Sequence, residues 1–130
     1  MSYYHSIHFT LDEARGMLPK VITTVTRMRE LKHQLDAKGY DIRMHRHFGG
    51  VGANGLKAFP DQMEELIRLF QQINAMGVVL KDIDRGLIDF PCIRDNGEEV
   101  YLCYMLGEPG LEYWHRISDG FGGREGTDTL

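Results

Sequence analysis

The sequence predicts an α+β fold in which an antiparallel two-helix hairpin packs on a three-stranded antiparallel sheet, with a short C-terminal helical turn. Two observations support this prediction. In the first half of the chain, apolar residues recur at three- and four-residue spacings, the period of a helix that buries one face. In the second half, apolar and charged residues alternate on either side of Gly86 and of Asn96-Gly97, which are typical of β-hairpin turns.

Length and charge limit the classes of protein to which the chain can belong. Its 130 residues, 42% hydrophobic and 26% charged, predict a single domain over residues 1–124 and a disordered tail over residues 125–130. The net charge of -4 argues against nucleic acid as a partner. No apolar run approaches the roughly 18 residues that cross a bilayer, and the N-terminus lacks the pattern of a signal peptide. We therefore expect a cytoplasmic protein with no membrane partner.

The first helix is predicted to begin at Leu11, because Thr10 and Glu13 have the spacing of a capping box, in which each side chain binds the other residue's amide. Pro19 lacks an amide hydrogen and clashes with the preceding turn of a helix. We therefore expect a short first helix to stop there and a second helix to restart and run to about Ala37. The restarted helix carries an apolar stripe, and its charged face is interpreted as solvated.

The other helix of the hairpin is predicted to begin at Pro60 and to end at Gly77, with acidic residues in its first turns. Residues 40–56, between the helices, are rich in glycine and histidine. The glycine-rich segment lacks the lysine and the serine or threonine of a P-loop. His45 and His47 have no carboxylate or cysteine close to them in the sequence. We therefore favour an exposed loop over a phosphate or metal site.

Two turns set the predicted register of the sheet. A three-residue loop that ends at Gly86 places Lys81 opposite Asp89. A two-residue turn at Asn96-Gly97 places Asp89 opposite Tyr104. In this register Lys81, Asp89 and Tyr104 form a polar row on the face that meets the helices, where burial and charge pairing shift pKa values. A satisfied ion pair without further function is the alternative interpretation.

The two cysteines are predicted to be free thiols. In the same register Cys92 and Cys103 lie on the face opposite the polar row, roughly 7 to 8 Å apart at Cα, which is too far for an easy disulfide. Their spacing in the sequence is not that of a metal-binding motif.

Acidic side chains and a histidine are predicted to meet at one end of the sheet. The turn at Asp84 and the segment after the third strand lie at the same end, which brings Asp82, Asp84, Glu108 and His115 together. Carboxylate and imidazole groups bind divalent metals and transfer protons. We therefore take Asp84, Glu108 and His115 as candidate metal ligands, and a divalent metal is the one cofactor that we consider. Trp114 is interpreted as a packing residue.

Three segments carry a resemblance to a known family. KDIDRGLIDFP, VYLCYMLGEP and YWHRISDGFGGR resemble three linked motifs of an uncharacterised bacterial family, the domain-of-unknown-function family 2203, and the similarity covers nearly the whole chain. The family brings no established activity. Tyr104 stands where the family usually has tryptophan. The resemblance implies that the following residues occupy motif positions: Lys81, Asp82, Asp84, Gly86, Asp89, Phe90, Cys103, Gly107, Glu108, Trp114, His115, Gly120 and Arg124.

Two classes of function stay open. The first is a non-enzymatic domain that binds a small anionic ligand or a metal. The second is an interaction module that forms a homodimer through the long first helices, whose apolar stripe is wider than one partner helix covers. A metal-dependent enzyme is a further alternative, but the sequence has no nucleophile elbow, P-loop, Rossmann fingerprint or paired CxxC, which favours binding over catalysis. The candidate ligand-binding residues are Lys81, Asp82, Asp84, Asp89, Tyr104, Glu108, Trp114, His115 and Arg124.

Overall fold

The computed structural model describes residues 2–44 and 60–130, and within them it contains two long helices and one five-stranded antiparallel sheet. The α+β prediction is confirmed, but the predicted number of three strands is wrong. His45 and His47 lie outside the described residues. In chain order the elements are α1 (Leu11–Ala37), α2 (Asp61–Met76), β1 (Val79–Asp82), β2 (Leu87–Ile93), β3 (Glu99–Met105), β4 (Tyr113–Arg116) and β5 (Glu125–Gly126), and the strands are adjacent in the same order.

Helix α1 is one continuous helix, so the expected restart at Pro19 is wrong. The capping box is confirmed: the Thr10 hydroxyl accepts a hydrogen bond from the Glu13 amide at 3.1 Å, and the Glu13 carboxylate accepts one from the Thr10 amide at 2.9 Å. Buried residues continue along one side of the helix on both sides of Pro19, and this packing outweighs the roughly 3 kcal/mol that an internal proline costs. These buried residues are Ala14, Leu18, Val21, Val25, Met28, Leu31 and Leu35.

Helix α2 ends where the sequence predicts, at Gly77. This glycine has a left-handed backbone with φ of 87°, and a Cβ there would lie 2.6 Å from the side chain of Ile7. Both the conformation and the close approach of residue 7 require glycine. Neither helix in the described part of the chain is long and apolar enough to cross a membrane.

The hairpin between β2 and β3 differs from the prediction by one residue. Arg94 and Glu98 close a three-residue loop, with the Arg94 amide donating to the Glu98 carbonyl at 2.8 Å. Gly97, with φ of 88°, is the left-handed residue that ends such a loop. The observed register therefore sets Asp89 opposite Cys103, whereas we expected Tyr104.

Because alternate side chains of a strand point to opposite sides, this slip moves Asp89 and the other odd-numbered residues of β2 to the face away from the helices, whereas Cys103 and Tyr104 of β3 lie on the faces that we expected. The even-numbered residues of β2 and β3 belong to the apolar core formed with both helices: Ile88, Phe90, Cys92, Val100, Leu102 and Tyr104. Asp89 lies on the other face, so the predicted polar row of Lys81, Asp89 and Tyr104 on the helix side is wrong. Both cysteines are free and buried, but they lie on opposite faces.

The last part of the chain is more regular than the sequence indicates. Residues 113–116, which we expected to be helical, form β4 and pair with β3, and the segment that we expected to be disordered begins with β5. Trp114 explains both differences. Its ring is 1% exposed on the core side, and its indole Nε1 donates to the Gly126 carbonyl and to Oγ1 of Thr129, so the tail supplies the partners that a buried indole requires.

Candidate metal centre

Three side chains that could bind a metal meet on the face of the sheet opposite the helices. Asp89, Cys103 and His115 come from the adjacent strands β2, β3 and β4. They are 1%, 1% and 4% exposed, and their ligand atoms lie within 4.8 Å of one another. Among the described residues, this is the one group of three or more histidine, cysteine or acidic side chains that is so close. The group forms because Asp89 of β2 pairs with Cys103 of β3, and His115 of β4 pairs with Tyr101, which lies two residues before Cys103 on the same face of β3.

The ring of His115 is held by a hydrogen bond at each nitrogen. Nδ1 lies 2.8 Å from the carbonyl oxygen of Arg116, and Nε2 lies 3.2 and 3.3 Å from the two carboxylate oxygens of Asp89. A carbonyl oxygen only accepts hydrogen bonds, so Nδ1 carries a proton and donates it. Nε2 therefore faces the carboxylate either as the second donor of an imidazolium or with a lone pair that a metal can use.

The pKa values of Cys103 and His115 reflect their shared carboxylate. Burial and then the charge of Asp89 raise the pKa of Cys103 to about 12, which keeps the sulfur protonated near neutral pH in the absence of a metal. Burial acts to lower the pKa of His115, but the hydrogen bonds to Asp89 and to the Arg116 carbonyl outweigh it and raise the value overall. The thiol is therefore unsuited to act as a nucleophile without a metal.

Lys81 and Tyr101 lie beside this group, and of the two only Lys81 reaches solvent. Nζ of Lys81 lies 3.9 Å from Oδ2 of Asp89 and 4.5 Å from the centroid of the Tyr101 ring. The Tyr101 ring also contacts the ring of His115, with centroids 5.4 Å apart. The Lys81 side chain is 39% exposed. The predicted contact between Lys81 and Asp89 is present, although Val79 rather than Lys81 pairs with Asp89 in the ladder, because a bulge interrupts β1.

Residues 3–9, here called the N-terminal segment, are fastened to β3 beside the group. The carboxylate of Glu99 accepts hydrogen bonds from the amides of Tyr4 and His5 at 2.7 and 3.0 Å, and it contacts Nε2 of His8 at 2.7 Å. The segment thereby brings Nε2 of His5 to 2.6 Å from the hydroxyl of Tyr101. The phenol is engaged in this hydrogen bond, and burial, followed by the charges of Asp89 and Glu99, raises its pKa.

Glu108 and Arg124, which the sequence analysis named as candidates, bind each other. Nη2 of Arg124 donates to both carboxylate oxygens of Glu108, at 2.8 and 2.6 Å. The guanidinium lies 3.9 Å from the ring centroid of Tyr113 and 4.4 Å from that of Phe121. Oε1 of Glu108 also accepts the Met105 amide at 2.7 Å. This carboxylate is therefore committed to local partners.

Asp82 and Asp84 organise the turn and its contact with α1. Oδ1 of Asp82 accepts the amides of Asp84 and Arg85 at 3.0 and 3.2 Å, which caps the turn. Oδ1 of Asp84 lies 2.9 Å from Nζ of Lys32 in α1.

The expected meeting of Asp84, Glu108 and His115 is therefore not found within the described residues, because each has a different partner: Lys32, Arg124 and Asp89 respectively. Ligand binding by these side chains stays a prediction.

Tyr104 points toward the core, and its hydroxyl donates to the Glu108 carbonyl at 2.9 Å.

Sequence reasoning had placed Cys103 on the face away from the helices, where it lies, but it had placed Asp89 on the helix side and so left Cys103 out of the candidate site. Two signals could have found it. The first is that Cys103 lies in the segment VYLCYMLGEP, which resembles a family motif. The second is that a register in which odd-numbered residues of β2 pair with odd-numbered residues of β3 places the apolar side chains of both strands on one face. That pairing places Asp89 beside Cys103.

Comparison with known proteins gives one result. Residues 8–126 match the model of a family described as Uncharacterized conserved protein (DUF2203). Searches of curated proteins and of solved structures found no match. The matched range includes Asp89, Cys103 and His115, and it leaves out only the first seven and the last four residues of the chain. The protein belongs to the DUF2203 family.

Proposed function

We propose that the protein binds a divalent transition metal of the zinc class through Asp89, Cys103 and His115. The observation that carries the proposal is that a carboxylate, a thiol and an imidazole, buried together, have ligand atoms within 4.8 Å of one another. Zinc takes these three ligand types, whereas magnesium and calcium prefer an all-oxygen environment.

The distances between the side chains support this assignment. In a tetrahedral site with metal–oxygen and metal–nitrogen bonds of about 2.0–2.2 Å, neighbouring ligand atoms lie about 3.3–3.6 Å apart. Nε2 of His115 and Oδ1 of Asp89 are separated by 3.2 Å. A hydrogen bond between these two atoms has a similar length, and it is the third donor, the sulfur of Cys103, that distinguishes a metal site from a simple ion pair.

The charges of the three groups also fit a divalent metal. The carboxylate of Asp89 and a thiolate at Cys103 together neutralise two positive charges, and His115 binds as a neutral ring. The buried group then has no net charge, which avoids the large cost of an unpaired charge in the interior. The Arg116 carbonyl that accepts from Nδ1 is the outer partner that a metal-binding histidine usually has.

Metal titration with cysteine variants tests the proposal. Purified protein is stripped of metal, titrated with Co²⁺ near neutral pH, and followed by the sulfur-to-cobalt absorption band in the near ultraviolet. We expect one Co²⁺ per chain in the wild type. Cys92→Ala is the matched control, because Cys92 is also a buried free thiol but lies on the core face.

Cys103→Ala should lose the absorption band and bind Co²⁺ at least about a hundredfold more weakly. Loss of a residue that only supports a metal ligand lowers metal affinity by about 10–100-fold, and loss of a ligand itself should lower it at least as much. A wild-type protein that binds no metal under these conditions would refute the proposal. Equal affinity and an unchanged band in Cys103→Ala would refute it too.

The two other functions have less support. The apolar stripe of α1 is buried within the chain by α2 and the sheet, so it does not require a second copy of the helix. A metal held by three protein ligands has an open position, as in zinc enzymes. The proposal is for metal binding, and a reaction at that position is a separate hypothesis.

A further inference from the structure

Lys81 is the charged residue through which the buried group meets solvent. The bulge in β1 lies between Leu80 and Asp82, at the position of Lys81. The lysine side chain is 39% exposed, whereas that of Asp89, 3.9 Å away, is 2% exposed. A small molecule that approaches Asp89 from the solvent side therefore meets the ammonium group first.

With a metal bound, the positive charge of Lys81 has no matching negative charge. Among the described residues, Asp89 is the one acidic side chain within 4.0 Å of Nζ. Its carboxylate would then be shared with the metal. The nearby carboxylate of Glu99 is already held by His8 and by two backbone amides. The metal-bound group together with Lys81 thus carries a charge of about +1, which favours a singly charged anion.

The described side chains around the group do not offer a fourth ligand that is free to bind. The ring of Tyr101 contacts that of His115, but the Tyr101 hydroxyl lies 2.6 Å from Nε2 of His5. Three protein ligands around a tetrahedral metal leave one position for water or for an external ligand. An oxygen donor that also carries a negative charge can satisfy the metal and Lys81 together.

We propose that the metal centre takes a small monocarboxylate, one oxygen of which binds the metal while the other accepts a hydrogen bond from Nζ of Lys81. This inference rests on the proposed metal binding and adds the class of ligand. A carboxylate matches the excess charge, whereas a phosphate carries closer to two negative charges at neutral pH. The face of the Tyr101 ring holds Nζ of Lys81 4.5 Å from its centroid and so keeps the ammonium group beside Asp89.

Acetate added to the Co²⁺-loaded protein tests the inference. The probe is sodium acetate, with the weakly coordinating salt sodium perchlorate at equal ionic strength as the control, and the readout is the visible cobalt spectrum. We expect a saturable spectral change with acetate and none with perchlorate. Lys81→Gln should retain Co²⁺ and require at least about tenfold more acetate, because a charge-assisted hydrogen bond is lost.

Lys20→Gln is the matched control, since it removes the same charge from an exposed position on α1 and should respond to acetate as the wild type does. Failure of the wild type to bind Co²⁺ would refute the metal centre and this inference together. A wild type that binds Co²⁺ without any response to acetate would refute only the inference. An equal response in Lys81→Gln would exclude Lys81 as the anion-binding residue.

Discussion

Glu99 and His8 lie 91 positions apart in the chain, and their side chains are in contact, with Nε2 of His8 2.7 Å from Oε2 of Glu99. The contact fastens the N-terminal segment to β3. Burial acts to raise the pKa of Glu99, but the hydrogen bonds from His8 and from the amides of Tyr4 and His5 together outweigh it and lower the value overall. This residue therefore links the stability of the fold to pH.

Glu99→Gln should lower the free energy of unfolding at pH 7 by about 1.5–3 kcal/mol, the range for hydrogen bonds to a charged group. A carboxyl group with a lowered pKa stabilises the fold above its unfolded value of 4.5, and that contribution is lost as the pH falls through the lower folded value. Urea unfolding at pH 7 and pH 3 should therefore show a difference from the wild type that shrinks with acid. Glu112→Gln, at an exposed position, is the control, and a difference of the same size at both pH values would contradict the prediction.

Asp89→Asn should destabilise the metal-free protein by about 3 kcal/mol, because it removes the charged partner of a buried histidine. The variant should also lose metal binding. Urea unfolding in a chelator measures the first effect, and cobalt titration measures the second. Asp95→Asn, in the exposed hairpin loop, should change neither. A variant that is as stable as the wild type would mean that the contact between Asp89 and His115 contributes little.

Metal binding should release protons, because the pKa of the Cys103 thiol is about 12 and the sulfur binds a metal as thiolate. The pKa of His115 is raised, so the fraction of His115 that is imidazolium must lose its Nε2 proton as well. Calorimetry in buffers of different ionisation enthalpy should give between one and two protons released per metal near pH 7, and the affinity should rise with pH. Release of no protons would contradict binding through the sulfur.

Two glycines should respond in opposite ways to alanine. Gly86 has φ of 61°, and a Cβ there would lie 2.3 Å from the side chain of Leu106, so Gly86→Ala should destabilise the fold by more than about 1 kcal/mol. Gly16, inside α1, has no atom within 4 Å of such a Cβ, so Gly16→Ala should stabilise it by about 0.5–1 kcal/mol. Urea unfolding of both variants tests the pair. A Gly86→Ala protein as stable as the wild type would contradict the prediction and would mean that the turn adopts another backbone conformation at little cost.

The helices could be predicted from the sequence because their signals are local. Thr10 with Glu13 marks the start of α1, and Gly77 marks the end of α2. Pro19 misled the prediction because its local cost is outweighed by side chains that become buried only in the folded protein.

The site could be predicted only in part, because it depends on how strands pair. Asp89 and His115 were both named as candidates, but a hairpin loop longer by one residue than the expected turn decides that Cys103, and not Tyr104, stands opposite Asp89. The four residues of β4 are too few to show a clear alternation, so the position of His115 beside Asp89 could not be derived.

The three-residue loop before Glu98 fixes more than the shape of a hairpin. Asp89 and His115 are 26 positions apart, so all three ligands of the proposed metal site come from one short stretch of chain. Deleting a single loop residue would preserve the pairing of the two strands, but it would place the sulfur of Cys103 in the apolar core and Leu102 on the opposite face of the sheet. In relatives of this protein, the length of that connection would then distinguish chains able to hold a metal from chains that share only the scaffold.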